Sequence, residues 1–331
     1  MASRRLAAAA AALLLAAALP RRACAFATAA ARLPARPPTR RAAGALETLV
    51  RDMHGSADPL FDLIKHEARA ASLGDSQIAH SMHSTVLSHT SLHDAVAELV
   101  AHKLETPFVA ATQWRHLLHE MCDRGQCAPV SEDIIAAAMR DRSALNALAI
   151  LLYSKGFHAL VTHRLAHWLW QAGRTELALH LQSLNSQVFG ADIHPGARLG
   201  RGIYLASATG VVIGETATVG DNCSIEHYVT LGGTGKDAGD RHPKVGSGVR
   251  LGVGCAVLGN VKVGDGSIVE PGAVLLADVD AYVRASGVPA KAISRLRYVR
   301  RDSDKCVLRP GGGPVESPDS WVCWFGDGVG T

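Results

Sequence analysis

Aliphatic residues return at every sixth position from Ile193 onward: Ile193, Leu199 and Leu205, then Ile213, Val219, Ile225 and Leu231, then Val245, Leu251, Val257, Val263, Val269 and Leu275. Glycine follows many of them, as at Gly200, Gly214, Gly220, Gly246 and Gly252. A period of six fits neither an amphipathic helix, which repeats every ~3.6 residues, nor a two-sided strand, which repeats every ~2. It fits a parallel β-helix, in which each hexad makes one short flat face and one corner, and the aliphatic stacks on its copy in the next turn. Glycine at a corner supplies positive φ without a Cβ clash.

The phase slips twice. Two extra residues separate Leu205 from Ile213, and the step from Leu231 to Val245 exceeds a multiple of six by two. Solenoids extrude insertions as loops on one side, often the functional one. Chemistry is therefore expected in 206–212 and 232–244.

Upstream, residues 45–190 are rich in Ala, Leu and His and carry helix punctuation. Asp58-Pro59 is an N-cap followed by Pro at the first helical position. Ser91 with Asp94 resembles a capping box, and Leu92, Val96, Leu99 and Val100 continue at helical spacing. Further helices are expected over 112–122, 131–140, 143–173 and 175–189, with Gly125, Gly173 and Gly190 as stops. An all-α domain over 45–190 thus runs into a β-helix over 191–293 and covers its open end, whose backbone would otherwise be unpaired. A tail over 294–331 follows, Pro- and Gly-rich over 309–318 and expected to be flexible. His163 and His167 form an i, i+4 pair that could hold a metal. No third ligand is evident, so they read as surface or interface histidines and no metal site is expected; Trp168 and Trp170 read as packing groups.

Residues 1–41 read as a targeting leader. Arg4 and Arg5 precede an apolar run from Leu6 to Leu19, too short to span a bilayer, and Ala23-Cys24-Ala25 offers a small-x-small cleavage site. Phe26 then opens an Ala-, Arg- and Pro-rich stretch with no acid before Glu47, which is transit-peptide composition. This bipartite pattern resembles leaders of algae with secondary plastids, so a plastid is the expected address, with a mitochondrion or secretion as alternatives. The leader also distorts the charge: without its eight arginines the formal balance falls from +4 to −4. The basic pI belongs to the leader, and no nucleic-acid or membrane partner is expected from it. Six cysteines remain beyond Cys24 (122, 127, 223, 255, 306 and 323). They show no CxxC or zinc-ligand spacing and read as free thiols in a reducing compartment.

Several motifs narrow the solenoid further. Asp192-Ile193-His194-Pro195 precedes Leu199-Gly200-Arg201-Gly202-Ile203, and Gly232-Gly233-Thr234-Gly235-Lys236 precedes Gly239-Asp240-Arg241-His242-Pro243-Lys244. With Lys155-Gly156-Phe157-His158-Ala159-Leu160, His167-Trp168-Leu169-Trp170 and Gly287-Val288-Pro289-Ala290, they make the chain resemble the serine O-acetyltransferases over roughly 63–290. The resemblance implies a left-handed parallel β-helix of hexapeptide repeats behind the all-α domain, trimers joined into hexamers, and active sites between neighbouring solenoids. It implies acetyl transfer from acetyl-CoA, a co-substrate and not a permanently bound cofactor, to the hydroxyl of L-serine. It also implies feedback inhibition by cysteine and a complex of the tail with O-acetylserine sulfhydrylase.

The chemistry explains the residue types. A serine hydroxyl needs a general base as it attacks a thioester. A zwitterionic substrate suits Arg at its carboxylate and Asp at its ammonium. By the resemblance, Asp192 matches the acid that orients the base, Arg241 the carboxylate clamp, His242 its neighbour in the pocket and Asp141 the helical domain's acid at the ammonium. Gly233, Thr234, Val253 and Gly254, with Lys236 nearby, match the coenzyme A site. The sequence departs at the first inserted loop. Where the family reads Leu-Asp-His-Ala-Thr-Gly, this chain reads Leu205-Ala206-Ser207-Ala208-Thr209-Gly210. Ala206 stands at the substrate-binding acid and Ser207 at the catalytic base, and a serine cannot act as a base near pH 7. His242 or His227 could reach the hydroxyl instead; the alternative is a weak or inactive regulatory or scaffolding homologue. At the other end the family commonly closes on Ile, whereas here two residues follow Val329.

Overall fold

The computed structural model describes residues 58–141, 143–235 and 239–296, together with the backbone of 299–302 and 305–308. The leader and Lys236 lie outside the described residues. Eight α-helices are described: α1 (Pro59–Gly74), α2 (Ser76–Met82), α3 (Leu92–Lys103), α4 (Ala111–Asp123), α5 (Ala128–Arg140), α6 (Ala147–Tyr153), α7 (Lys155–Gln171) and α8 (Thr175–Phe189). A π-helical turn, His83–Leu87, prolongs α2. The caps are those the sequence announces: the Asp58 carboxylate accepts from the Phe61 amide and Ser91 Oγ from the Asp94 amide. The stretch 143–173, expected as one helix, is two. Asn146 caps α6, and Ser154, in extended backbone, turns its hydroxyl onto the Phe157 amide and starts α7. A serine whose oxygen serves the next turn's amide competes with continuation of the helix before it.

Two further expectations change in the helical half. Cys122 and Cys127 are joined in a disulfide, not free thiols, because the turn at Gly125 (φ 76°) between α4 and α5 brings their Cα atoms to 4.8 Å. Cys223 and Cys255 are free and buried in the solenoid. His163 is 2 % exposed and packs 5.9 Å from the His167 ring, so it is a core residue and not a surface histidine.

From Gly190, a left-handed cap (φ 77°), the chain enters a left-handed parallel β-helix of three faces. The first face stacks β1 (Ala191–Ile193), β4 (Val211–Ile213), β7 (Thr230–Gly232), β10 (Ala256–Leu258) and β13 (Val274–Leu275). The second stacks β2 (Arg198–Leu199), β5 (Thr218–Val219), β8 (Lys244–Val245) and β11 (Lys262–Val263). The third stacks β3 (Tyr204–Leu205), β6 (Ser224–Ile225), β9 (Arg250–Leu251), β12 (Ile268–Val269) and β14 (Val283–Gly287), and β15 (Ala290–Arg295) closes it antiparallel. Of the thirteen periodic aliphatics, twelve are buried and Leu199 is partly so, which makes them the core of the coil. In the tail expected to be flexible, β15 reaches Arg295, and β16 (Val299–Asp302) pairs with β17 (Lys305–Leu308).

Register gives the true size of the second insertion. An uninterrupted coil returns after 18 residues, pairing Val257 with Leu275, whereas Leu231 pairs with Val257, 26 residues on. Eight residues are extruded between β7 and β8, one whole hexad plus the two by which the phase slips.

The helices seal the first coil, which has no preceding turn to bond. Arg140 Nη1 donates to the Gly202 and Cys223 carbonyls, Arg164 Nη2 to the Gly200 carbonyl, and His167 Nδ1 lies 2.7 Å from the Pro195 carbonyl. Asp133 accepts from the Ile203 amide while paired with Arg164 at 2.7 Å, and burial pushes its pKa up to about 6. These side chains take the place of a missing strand. Contact is closest at Gly156 on α7, where a Cβ would sit 1.8 Å from the Leu205 carbonyl oxygen.

Candidate functional site

The two insertions leave opposite ends of the first face. The loop 206–210 enters β4 from the third face, and the loop 233–243 departs β7 toward the second. Within one chain, Arg241-His242 and Ala206-Ser207 are therefore at different corners of the prism.

The corner between first and second faces is tightly built. Gly214, Glu215 and Thr216 follow β4, and the inserted loop returns onto them. The Thr216 hydroxyl oxygen accepts from the amides of Arg241 (3.2 Å) and His242 (3.1 Å), and its carbonyl accepts from Lys244 Nζ (2.7 Å). The Thr216 amide donates to His242 Nδ1 at 3.1 Å, and the hydroxyl lies 2.9 Å from the same nitrogen. His242 is only 7 % exposed, its ring lying where a Cβ on Gly214 would intrude to 2.1 Å. Burial first, and then the Arg241 charge, lower its pKa, so the ring is neutral near pH 7. With Nδ1 accepting, the neutral ring carries its hydrogen on Nε2. His242 is thus arranged to donate a hydrogen bond, not to take a proton.

Arg241 is held beside it, Nη2 2.9 Å from Glu215 Oε2 and Nη1 donating to the Gly239 carbonyl. One coil earlier, His194 Nδ1 accepts from the Gly196 amide and the ring meets the edge of Trp170 at 5.1 Å. Burial lowers the His194 pKa, the Glu215 and Asp192 charges oppose that shift, and Arg241 reinforces it. Asp192, His194, Glu215, Arg241 and His242 therefore share one field. Asp192 Oδ1 accepts from Gln182 Nε2 of α8 at 2.7 Å. Glu215, Thr216, Gln182 and His194 went unassigned in the sequence. Only the position of Gly214-Glu215-Thr216 at a repeat corner could have singled out the first two.

The corner between third and first faces is of another kind. Ala206 is buried and Ser207 exposed. Ser207 and Ala208 both adopt left-handed backbone (φ 59° and 58°), and the Thr209 amide closes a tight turn onto the Ser207 carbonyl. Lys155 Nζ donates to Thr209 Oγ1, and the Gly210 amide to the Gly190 carbonyl, tying the loop to the helices. Tyr228, one coil on, is also left-handed (φ 58°); it donates its amide to the Thr209 carbonyl and lays its ring over Gly210, where a Cβ would meet it at 2.2 Å. Asp141, at the end of α5, accepts from both the amide and the hydroxyl of Ser143. Its charge adds to burial in raising the pKa of Tyr204 on β3.

The residues matched to coenzyme A divide the same way. Gly233 and Thr234 lie at the first corner, a Cβ on Gly233 being 3.5 Å from Arg241 and Thr234 Cγ2 packing over Gly259. Val253 and Gly254 lie at the second, where the Gly254 amide donates to the His227 carbonyl and the Gly272 amide to the Val253 carbonyl.

Known proteins share this architecture. Residues 60–162 match the family described as serine acetyltransferase, N-terminal, and residues 242–277 match the bacterial transferase hexapeptide family of six repeats. Serine acetyltransferase 4 of Arabidopsis thaliana is 43 % identical over 242 residues, covering 72 % of this chain and 68 % of its own. The crystal structure of serine acetyltransferase from Brucella abortus in complex with coenzyme A is 44 % identical, covers 72 % of this chain and 97 % of its own, and superposes with a TM-score of 0.71. Soybean serine acetyltransferase complexed with serine is 43 % identical, with coverage of 71 % and 97 % and a TM-score of 0.69. Two matched segments in family order, and a shared solenoid with its helical cover, place this chain in the serine acetyltransferase family.

Proposed function

We propose that the protein transfers the acetyl group of acetyl-CoA to the hydroxyl of L-serine, giving O-acetylserine for cysteine synthesis. The observation that carries this reading is the Arg241-His242 corner. A guanidinium and a neutral imidazole N–H, both fixed by Thr216 and Glu215, make a donor pair suited to an amino-acid carboxylate. Relatives supply the ligands: coenzyme A in the Brucella protein and serine in the soybean one. Because the two loops sit at different corners of one chain, a complete site takes Arg241-His242 from one solenoid and the Ser207 corner from its neighbour. A homotrimer, doubled to a hexamer through the helices, meets that need. Asp141 would receive the substrate ammonium, and cysteine, which shares the carboxylate and ammonium, would compete for the clamp. Plastid targeting and docking of the 294–331 tail on O-acetylserine sulfhydrylase complete the proposal.

One observation favours a second reading, a binding or scaffolding homologue: Ala206 and Ser207 offer neither acid nor base. Release of coenzyme A from acetyl-CoA on addition of L-serine separates the two, measured beside the double variant Ala206→Asp/Ser207→His. Turnover by the natural chain supports the enzyme. Turnover by the double variant alone, with ligand binding retained in both, supports the scaffold.

A further inference from the structure

We infer that His227 is the catalytic base of this protein, replacing the imidazole that Ser207 lacks; the inference rests on the proposed acetyl transfer. Register is the ground. Leu205 pairs with Ile225 in the parallel ladder, and the Ala206 amide donates to the Ile225 carbonyl. At the far side of the turn the Tyr228 amide donates to the Thr209 carbonyl. Between these two bonds the four residues 206–209 face only Glu226 and His227, so the two inserted residues lie in the turn against His227. Leu205-Ala206 is thus overlaid by Ile225-Glu226, and His227 stands over the inserted turn of Ser207, Ala208 and Thr209. An acid–imidazole dipeptide thus stands one coil step from the loop that carries Ala206 and Ser207. On its other side His227 gives its carbonyl to the Gly254 amide, at the corner matched to coenzyme A. His227 therefore sits between the turn that holds Ser207 and the level matched to coenzyme A.

Its setting suits an imidazole that must meet a ligand. The side chain is only half-buried, and Tyr228 meets it edge-on with ring centroids 5.7 Å apart. Tyr228 is held left-handed at a corner that the next two coils fill with Gly254 and Gly272. A bulky residue in that region is strained, and such strain clusters at functional sites. Gly210 leaves the space its ring occupies. Glu226, 3.6 Å from Arg250, puts a carboxylate one residue from the imidazolium that forms.

The step balances without another reactant. His227 takes the proton of the serine hydroxyl as its oxygen bonds to the acetyl carbon. The carbon–sulfur bond then breaks and the departing thiolate takes that proton, leaving neutral imidazole, O-acetylserine and free coenzyme A.

The test uses the full chain. Coenzyme A release with acetyl-CoA and L-serine is followed for the natural protein, His227→Gln and His227→Ala, with His116→Ala, an exposed histidine on α4, as control. Calorimetry reports binding of coenzyme A and of L-serine by the same preparations. The expected result is a fall in kcat of about 10²- to 10⁴-fold in both His227 variants, with both affinities and the control unchanged. Undiminished turnover in the His227 variants overturns the inference. So does a natural protein that binds both ligands without turnover, or a loss of coenzyme A affinity equal to the loss of rate. Failure of the natural protein to bind either ligand refutes the acetyl-transfer reading itself, and this inference falls with it.

Discussion

The two corners of the solenoid share one backbone plan and differ in what fastens their loops. At the first, side chains do the fastening: Thr216 alone receives or gives bonds to Arg241, His242 and Lys244, and Glu215 holds the guanidinium. At the second, apart from the Lys155–Thr209 side-chain bond, backbone does it: Ser207, Ala208 and Tyr228 are left-handed and the loop closes through main-chain bonds. A side-chain network fixes charge and tautomer and so defines a ligand's shape, whereas a backbone-closed loop leaves its side chains free to change. Ala206 and Ser207, which offer neither acid nor base, stand at the second corner. The proposed clamp belongs to the first.

Removing the clamp should break the contrast most. Arg241→Ala should weaken L-serine and L-cysteine binding by about 1.5–3 kcal/mol, the worth of hydrogen bonds to a charged group, read by calorimetry. An equal effect from Ala206→Ser would show that both corners hold substrate alike.

The helical layer beneath both corners gives the next effect. Burial lowers the pKa of His158 to about 4, and His163 lies well below its ordinary value for the same reason. The unfolded chain, with an ordinary imidazole near 6.5, then binds more protons than the folded one. The stability this supplies is present above pH ~6.5 and is lost as pH falls toward 4, by about 3 kcal/mol from His158 alone. His158 Nε2 donates to the Leu151 carbonyl. His158→Gln can keep that bond without titrating and should flatten urea midpoints measured between pH 7 and 4.

The smallest effect sharpens the comparison. Thr216→Val deletes one hydroxyl and should cost ligand binding about 1–2 kcal/mol through the loosened Arg241-His242 segment. Thr216→Ser should restore most of it. Equal affinities in all three would mean that the loop is held by its backbone after all.

How much of this was legible depended on range. The hexads, the Asp58 and Ser91 caps and the stops at Gly125, Gly173 and Gly190 are local signals, and the structure carries each of them. The break at Ser154 was hidden because its cap lies within an unbroken helical pattern. The bond between Cys122 and Cys127 was hidden because their spacing matched no familiar motif and only the turn between α4 and α5 brings them together. Glu215, Thr216 and Gln182 were missed because their partners are 26, 26 and 10 residues away.

By itself the sequence determined the solenoid, its helical cover, the family motifs and the absence of an acid–base pair at 206–207. A repeat of six acts between adjacent turns and is written in every copy. The tertiary structure alone decided that the second insertion is eight residues long, that His242 presents N–H and not a lone pair, and that His227 stands against the turn that holds Ser207. Each depends on which residue of one coil meets which residue of another. Stacking sets that register; local spacing leaves it open.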